Sequence, residues 1–394
     1  MDVFIIYKEE YPWDVRVEKL AKSLSEAGNK VTIVARNLNQ KPRTEVSEGF
    51  DIRRLPQTGR LPVFLQKIAN LPLWFNPIWI YTILQAIRGA PKPLIIVRDL
   101  PLAGTAIFIA RFRKAKIVLD MAEVYPEMYK SSAKLSHRSW LDHLVKNPKV
   151  AARYEQSVLP KIDHTLTMIE ESRDRLLAMG VPPKKVSIVS NTPPIEKYQN
   201  HRHRHTDENL KIVYVGFLTE LRGLDLLIEA VDRYIKKGNT KSSIQVDIVG
   251  KGASKDKLIN LARSLEIEES VRVHGWLSQD DVDQLMANAN VGALTYRVCG
   301  HWNHTIPNKI FDYMLAGLPV LTTEVVTIRR IIEEAGCGVV CRDLDPEDIA
   351  EKLVYLKDPA VRQKLGENGY RAIRKKYNWE NDKARLNTIV KNLE

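Results

Sequence analysis

The sequence predicts an α/β protein made of two doubly wound, Rossmann-like domains. Short apolar segments alternate along the chain with stretches of helical periodicity. The length of 394 residues gives room for two domains of ordinary size, each with its own core. A polar segment rich in His and Arg, residues 196–209, has the composition of a linker between them.

The composition is that of a soluble globular protein, with 44% hydrophobic and 27% charged residues. The chain begins Met1-Asp2 and continues into an apolar run without a basic region, so we expect no signal peptide. Cys299, Cys337 and Cys341 offer neither a disulfide framework nor the spacing of a metal site. These features favour a cytoplasmic protein.

The positive charge is concentrated in the first half of the chain. Of the net charge of +12, the first 200 residues carry +11, and residues 51–150 hold 16 basic against 6 acidic side chains. A pI near 9.4 would suit a nucleic-acid-binding protein. The charge is confined to one domain, however, and no RNA- or DNA-binding motif is present, so this class is disfavoured.

In the first half, six apolar segments predict strands of a parallel sheet. These strands are Val3–Tyr7, Lys30–Ala35, Leu94–Val97, Lys116–Leu119, His164–Thr167 and Val186–Val189. A helix is predicted from near Asp14 to Gly28. The loop before it follows the first strand at the carboxyl edge of the sheet, where α/β proteins bind ligands. Asp14 is therefore either the helix N-cap or a catalytic carboxylate.

The segment from Leu61 to Arg88 is apolar but interrupted by three prolines, so we expect no membrane-spanning helix. Two interpretations stay open, a pair of core helices and a patch that lies on an anionic membrane surface. The patch would combine the aromatic residues Trp74, Phe75, Trp79 and Tyr81 with Arg53, Arg54, Arg60, Lys67 and Arg88.

A second pair of acids follows the strand at Lys116–Leu119. Asp120 and Glu123 stand at its carboxyl end, where Glu123 is either a loop or cap carboxylate or a functional one. Three histidines alternate in the polar linker, at positions 201, 203 and 205. Because no carboxylate or cysteine accompanies them, we do not expect a metal site there.

The second half opens with a strand at Lys211–Val215, followed by Gly216, a basic residue at Arg222 and an apolar-periodic helix. Backbone N–H groups and a helix N-terminus meet after such a strand, which predicts an anion site. Two further strands end in Gly250-Lys251-Gly252 and in Gly275-Trp276.

The most informative stretch is residues 304–321, which predicts a short helix and a buried strand. Pro307 suits a helix start, and Gly317 with Pro319 stops the helix. Helical spacing places Lys309, Asp312 and Tyr313 on one face, which we expect to hold a ligand. A lysine at a helix start suits a diphosphate, and a carboxylate one turn later suits ribose hydroxyls. The alternative is a surface ion pair between Lys309 and Asp312.

The run Pro-Asn-Lys-Ile-Phe-Asp-Tyr-Met-Leu-Ala-Gly-Leu-Pro-Val, residues 307–320, resembles the donor-nucleotide motif of the family 4 retaining glycosyltransferases. The second acid of that motif falls on Asp312, while the first falls on His304. Residues 120–123 resemble the family's Asp-x-His-Asp/Glu segment, with Ala122 in place of the histidine. Arg222 matches the family's diphosphate-binding basic residue.

The resemblance implies the GT-B fold, in which two Rossmann-like domains face each other across a cleft. It assigns residues 1–200 to acceptor binding, 201–375 to nucleotide-sugar binding, and 376–394 to a helix that crosses back to the first domain. It implies catalytic roles for Asp14, Glu123, Arg222 and Lys309. The donor-binding residues that it implies are Gly216, Gly250, Lys251, Trp276, His304, Pro307, Asn308 and Asp312.

The activity implied is that of a retaining, metal-independent hexosyltransferase with a nucleotide-sugar donor, a UDP-sugar by preference, and no cofactor. The acceptor would be a saccharide or a lipid-linked glycan of the cell surface. The charge and aromatic content of the first domain would then place the protein peripherally at the cytoplasmic face of the membrane. A soluble small-molecule or protein acceptor remains an alternative, as does a catalytically silent scaffold subunit.

Overall fold

The computed structural model describes residues 1–12, 14–59, 61–72, 75–133, 146–198 and 209–394. The chain forms two compact units, one of Met1–Asn191 with Asp382–Glu394 and one of Thr192–Asn381. Several residues singled out in the sequence lie outside the described ones. They are Arg60, Trp74, His201, His203 and His205.

The first unit contains an eight-stranded sheet in the order β3-β4-β2-β1-β5-β6-β7-β8, parallel except for β3. Its strands are β1 (Asp2–Glu10), β2 (Lys30–Arg36), β3 (Thr44–Ser47), β4 (Phe50–Arg54), β5 (Leu94–Arg98), β6 (Lys116–Met121), β7 (His164–Thr167) and β8 (Val186–Ile188). Strand β5 is buried at every position, as a central parallel strand covered on both faces must be.

The helices described in the first unit connect these strands. They are α1 (Val15–Glu26), α2 (Val63–Asn70), α3 (Pro77–Ala86), α4 (Ala103–Arg113), α5 (Tyr125–Ala133), α6 (Pro148–Val158) and α7 (Glu170–Ala178). The apolar side chains of α3 and α4 pack against β1, β5 and β6 in one core. Burial of this apolar surface is the main stabilising contribution to the unit.

The second unit contains a six-stranded, wholly parallel sheet in the order β11-β10-β9-β12-β13-β14. Its strands are β9 (Leu210–Val215), β10 (Ile244–Val249), β11 (Val271–Gly275), β12 (Val291–Leu294), β13 (Val320–Thr323) and β14 (Gly338–Cys341). Its helices are α8 (Leu224–Lys236), α9 (Lys255–Ser264), α10 (Gln279–Asn288), α11 (Lys309–Leu315), α12 (Val326–Ala335), α13 (Pro346–Tyr355) and α14 (Pro359–Lys375). The last helix, α15 (Trp379–Leu393), belongs to the first unit from Asp382 onward.

The predicted fold class is confirmed, and each of the six strands predicted in the first half is present. Strands β3 and β4 were not predicted. Strand β3 is largely exposed and pairs antiparallel at the sheet edge, so it lacks the apolar pattern of a buried strand. Its partner β4 does alternate between buried and half-buried residues, but two arginines among its five residues mask that pattern.

The apolar segment from Leu61 to Arg88 divides into two helices with different environments. Helix α3 is a core helix, in which Trp79 is fully buried, so this residue belongs to no membrane-facing patch. Helix α2 instead exposes most of its apolar side chains. Within the described part of the chain, no helix has the length and hydropathy needed to cross a membrane.

Each sheet has one point at which the strand order reverses. In the first unit it lies between β1 and β5, and in the second between β9 and β12. Loops that leave adjacent strands in opposite directions open a crevice at such a point, and α/β proteins bind ligands there. In the second unit, Gly216 and Arg222 follow β9, and the candidates at 304–312 follow β12.

Candidate active site

Glycines form the carboxyl edge of the second sheet. The backbone N of Gly216, after β9, donates to the carbonyl of Val249 at 2.9 Å. The N of Gly250, after β10, donates in turn to the carbonyl of Gly275 at 2.7 Å. These bonds extend the pairing of the strands into their turns, so the predicted donor-binding glycines 216 and 250 lie side by side.

The turns approach too closely for any side chain. A Cβ at Gly250 would lie 1.7 Å from the Gly216 carbonyl oxygen, and one at Gly252 would lie 2.1 Å from that of Leu218. Gly250 also has a φ of +146°, which disfavours other residues. The sequence therefore needs glycine here for backbone packing, whatever ligand the edge binds.

Lys251 and Trp276 contact each other beside these turns. The Lys251 ammonium lies 4.9 Å from the centroid of the Trp276 ring, within cation–π distance. The Trp276 side chain is 69% exposed, so its ring is available to stack on a planar group. These two predicted donor-binding residues are thus brought together.

Arg222 ends a short 3₁₀ turn, Glu220–Arg222, that leads into α8. The next residue, Gly223, has a φ of +60°, and a Cβ there would lie 2.0 Å from the Thr295 carbonyl oxygen. This close approach brings the turn against the segment that follows β12. The basic residue predicted after β9 is therefore fixed at the point where the strand order reverses.

The guanidinium of Arg222 lies over two aromatic rings. Its Cζ is 4.5 Å from the centroid of Tyr296 and 4.4 Å from that of Trp302. An Arg222 Nη1 hydrogen bond to the Tyr296 hydroxyl adds to this stacking. The indole of Trp302 donates to the Leu221 carbonyl at 3.2 Å, which joins the two loops. A planar cation held in this way is preorganised for an anion.

Three aromatic side chains at this site were not predicted from the sequence, namely Tyr296, Trp302 and the neighbouring His301. The ring centroids of His301 and Trp302 lie 4.4 Å apart. Burial lowers the pKa of His301 to about 4, and the positive charge of Arg222 acts in the same direction. His301 is thus neutral at physiological pH. Nothing in the spacing of these residues distinguishes them from core aromatics, because they gather only when the loop folds against Arg222.

Helix α11 is short and almost entirely buried, and it begins at Lys309. Pro307 and Asn308 precede it, and Phe311 N donates to the Asn308 carbonyl at 3.1 Å in a tight first turn. The predicted helix stop is confirmed, since α11 ends before Gly317, which has a φ of +75°. Pro307 and Asn308, both predicted to bind the donor, therefore lie just before the helix, which begins two residues after the predicted start at Pro307.

Tyr313 does not belong to a ligand-binding face, contrary to the prediction from helical spacing. Its side chain is fully buried, and its hydroxyl accepts a hydrogen bond from Val215 N at 3.1 Å. Its ring covers Gly292, where a Cβ would lie 2.4 Å from the ring carbons. Lys309 and Asp312 do lie together on one side of the helix, as their three-residue spacing predicts. Tyr313 is instead covered by the sheet.

Asp312 is 6% exposed and binds two lysines. Its Oδ2 lies 2.9 Å from Lys309 Nζ, and its Oδ1 lies 2.8 Å from Lys197 Nζ. Burial alone would raise the pKa of Asp312, but the two ammonium groups outweigh burial and hold the pKa below its ordinary value. The ion pair considered from the sequence is present, on a buried carboxylate rather than on a solvated helix.

His304, at the position of the missing first acid, closes a 3₁₀ turn from Trp302. Its Nδ1 lies 2.8 Å from the Gly300 carbonyl oxygen, a contact within its own loop. This contact fixes the ring. Its predicted role in donor binding stays a prediction.

In the first unit, Asp14 is the N-cap of α1, as one of the two interpretations expected. It accepts hydrogen bonds from the backbone N of Arg16 at 2.8 Å and of Val17 at 3.2 Å. Its other oxygen lies 3.6 Å from Arg98 Nη2. A capping role does not exclude a catalytic one, which stays a prediction.

Asp120 lies at the centre of a buried charge cluster. Arg16 Nε lies 3.0 and 2.9 Å from its two oxygens, and Arg98 Nη1 lies 3.5 Å away. Arg16 also donates to the Ser190 carbonyl at 3.0 Å. Burial would raise the pKa of Asp120, but Arg16 and Arg98 outweigh it and lower the pKa. The cluster joins the ends of β5, β6 and α1.

Asp99, at the end of β5, was not identified from the sequence. It has a φ of +66° and a ψ of 169°, a conformation that is rare outside glycine. Its Oδ1 accepts from Ala122 N at 3.2 Å. Burial raises its pKa, against the effects of Arg98 and Lys8. Glu123 lies half-buried in the same region, so the first sheet also gathers carboxylates at its carboxyl edge.

No group of three or more potential metal ligands occurs among the residues that the structure describes. The catalytic candidates of the second unit make separate contacts. Arg222 binds the aromatic pair, whereas Lys309 binds Asp312. Lys197 also contacts Asp312. Its segment was predicted to be part of the linker, and nothing in the sequence indicates that it has a partner on α11.

Two family models match the chain and together account for most of it. The model described as "Glycosyl transferase 4-like domain" matches residues 14–192, and "Glycosyl transferases group 1" matches residues 196–372. Among its relatives, the amylovoran biosynthesis glycosyltransferase AmsK of Erwinia amylovora is 25% identical over 183 residues. That match covers 46% of this chain and 44% of AmsK, so the similarity spans less than half of the relative.

Solved structures resemble the whole chain at low identity. Sucrose-phosphate synthase from Thermosynechococcus elongatus has a TM-score of 0.76 and 14% identity, and the match covers 100% of this chain and 99% of the synthase. The Anabaena protein HepE in complex with UDP has a TM-score of 0.69 and 13% identity, with 100% of both chains covered. At these identities the likeness extends to the fold alone.

Proposed function

Because this chain belongs to the family 4 glycosyltransferases with the GT-B fold, we propose that it transfers a sugar from a nucleotide-sugar to a hydroxyl group in glycan synthesis. The observation that carries this proposal is the position of Arg222. Its guanidinium is held over Tyr296 and Trp302 where the strand order of the second sheet reverses. A preorganised cation at such a crevice suits a phosphate group.

The donor is a UDP-sugar in this proposal, and two basic side chains bind its diphosphate. Arg222 and Lys309 stabilise the negative charge that grows on the leaving group, since fixed charges cost no reorganisation as the bond breaks. The Lys251–Trp276 pair and the backbone at Gly216 and Gly250 offer stacking and polar groups for the nucleoside. The crystallised UDP complex of HepE supports the choice of uridine.

The reaction retains the configuration of the sugar and needs no metal ion. The acceptor oxygen forms its bond to the anomeric carbon on the face that the diphosphate leaves, and a phosphate oxygen takes the hydroxyl proton. Asp14 and Glu123 contact the acceptor, because both lie at the carboxyl edge of the first sheet. Asp312 contacts the ribose, in which case the ribose hydroxyls replace or join the lysines on its oxygens.

The acceptor is a saccharide or a lipid-linked glycan, and the enzyme works in the cytoplasm at the inner face of the membrane. The name of AmsK, an amylovoran biosynthesis enzyme, supports a polysaccharide product. The excess of basic residues in positions 51–150 supports the proposal that the enzyme acts at an anionic membrane surface.

Release of nucleoside diphosphate from a panel of nucleotide-sugars tests the proposal. We expect release from a UDP-sugar, undiminished by a chelator, and its loss in Arg222→Ala. The anomeric configuration of the product, read by NMR, tests retention. A folded protein that releases nucleoside diphosphate from none of the donors, with any acceptor glycan, would favour a silent scaffold instead.

A further inference from the structure

Helix α2 presents an apolar surface to solvent. Its side chains at Val63, Phe64, Leu65 and Ile68 are 66%, 63%, 36% and 57% exposed. In α2, only Ala69 and Asn70 are buried. A surface helix ordinarily turns its apolar side chains toward the core. Contiguous apolar exposure of this kind marks an interaction site.

The exposed helix is held in this orientation by its C-terminal end. The side chain of Asn76, the N-cap of α3, donates to the carbonyls of Ile68 at 3.1 Å and of Ala69 and Leu71 at 3.0 Å. The Asn70 carboxamide accepts from Asn37 N at 3.0 Å. With these polar groups satisfied on the protein side, the apolar side chains are left facing outward.

Aromatic residues extend the surface toward α4. Phe75 is 61% exposed, and its ring centroid lies 6.0 Å from that of Phe108. Phe108 in turn lies 4.8 Å from Phe112, which is 70% exposed. We call this set the α2–α4 surface, and its members are Val63, Phe64, Leu65, Ile68, Phe75, Phe108 and Phe112.

The stretch of sequence that contains the α2–α4 surface is strongly basic. Between Asp51 and Asp120 the chain holds 11 basic residues and a single acidic one, Asp99. Asp99 is buried in the charge cluster at the end of β5, and two of the basic residues, Arg54 and Arg98, are buried as well. Lys67 on α2 and Arg111 on α4 are both exposed. An apolar surface with exposed basic residues has the chemistry of a site for anionic lipid.

The position of α2 beside the first sheet relates this surface to the acceptor. Asn37, which binds Asn70, directly follows β2 at the carboxyl edge of the first sheet. Asp14 lies at the same edge, after β1. The apolar helix and the proposed acceptor-binding carboxylate thus share one edge of one sheet.

We propose that the α2–α4 surface docks on an anionic lipid bilayer and that the acceptor is therefore lipid-linked. This inference rests on the proposed function for its acceptor, whereas bilayer binding itself does not depend on catalysis. Val63, Phe64, Leu65 and Ile68 enter the interface, and Lys67 and Arg111 bind the head-groups. A lipid anchored in that bilayer presents its saccharide beside the carboxyl edge of the sheet.

Flotation with vesicles of phosphatidylcholine, with and without phosphatidylglycerol, tests the docking. We expect the wild-type protein to float with the anionic vesicles in low salt and to be partly released in high salt. Phe64→Ser and Ile68→Ser should each weaken partitioning by about tenfold. Lys67→Glu should weaken it several-fold and only with anionic vesicles. Matched controls are Val354→Ser and Tyr355→Ser, which alter side chains 44% and 53% exposed in the second unit.

Three results would overturn the docking. The first is wild-type protein that stays in the unbound fraction, and the second is a Phe64→Ser variant that floats like wild type. The third is a wild-type dimer that Phe64→Ser dissociates, because a second copy of the chain would then cover the surface. Circular dichroism melting confirms that the variants are folded. Release of nucleoside diphosphate in the presence of a soluble acceptor analogue, without vesicles, reports separately on the proposed function. Phe64→Ser should leave that release unchanged and reduce transfer to a lipid-linked acceptor in vesicles by about tenfold.

Discussion

The Lys197 ammonium lies 2.8 Å from Asp312 Oδ1, although the two residues are 115 positions apart in the chain. This contact joins the 3₁₀ turn at Ile195–Tyr198 to helix α11 within the second unit. Together with Lys309 it supplies two positive charges to one buried carboxylate. Asp312 is therefore both a structural anion and the residue proposed to meet the ribose, and substitution should separate these roles.

Asp312→Asn should lower both donor affinity and stability. The amide keeps the shape of the carboxylate but not its charge, so we expect the free energy of unfolding to fall by about 1–3 kcal/mol. Donor affinity, measured by calorimetry with UDP, should fall about tenfold as the ribose contact weakens. Unchanged UDP affinity in a folded variant would restrict Asp312 to the ion pairs.

Arg222→Ala and Lys309→Ala should reduce turnover far more than stability. Loss of one charge that stabilises the leaving diphosphate should cost about 3 kcal/mol of activation free energy, or roughly a hundredfold in rate. Lys236→Ala is the matched control, because Lys236 pairs with Asp232 at 2.7 Å on an exposed part of α8. Equal turnover in Lys309→Ala and the control would remove Lys309 from the diphosphate site.

The fold was predictable because its signals are local. A buried parallel strand such as β5 is a run of apolar residues that ends in Arg98. Gly250 and Gly317 stand in turns where the backbone has a positive φ. The basic residue after β9 could be located for the same reason, since a strand, a glycine and a helix follow one another in the sequence.

The parts of the candidate site that the sequence did not predict depend on contacts between distant segments. Tyr296 and Trp302 surround Arg222 only because the loop after β12 folds against the turn after β9. Lys197 reaches Asp312 from a polar segment that looks like a linker. Tyr313 shows the opposite error, since helical spacing fixes which residues share a face but not which side the sheet will cover.

Gly250→Ala should destabilise the second unit severely. A methyl group there would overlap the Gly216 carbonyl, 1.7 Å away, and the backbone would have to move at the donor edge. Gly238→Ala is the control, since Gly238 has a comparable positive φ of +92° with nothing within 4 Å of its Cβ position. We expect the control to lose about 1 kcal/mol and Gly250→Ala several times more, as measured by urea unfolding. Equal losses would mean that the close approach has no energetic effect.

Asp120→Asn should destabilise the first unit by about 3–5 kcal/mol at neutral pH, because Arg16 and Arg98 would be left buried without their shared carboxylate. The pKa of Asp120 is lower in the folded state, so its contribution is present above the unfolded pKa of about 3.9 and is lost as the pH falls further. The stability difference between wild type and variant should therefore shrink in acid. A difference that stays constant down to acid unfolding would contradict the ionised state of Asp120.

His301 gives the clearest pH dependence in the second unit. Its folded pKa of about 4 lies below the ordinary value of 6.5, so the unfolded chain binds the proton more tightly between these values. Stability from this residue is complete above pH 6.5 and is lost as the pH falls toward 4. The shift corresponds to about 3 kcal/mol. In urea unfolding across this range, wild type should lose that stability relative to His301→Gln. His304→Gln, which alters a histidine of the same loop and keeps His301, should lose stability over this pH range as wild type does. If wild type and His301→Gln declined in parallel, His301 would have to be protonated in the folded protein, next to Arg222.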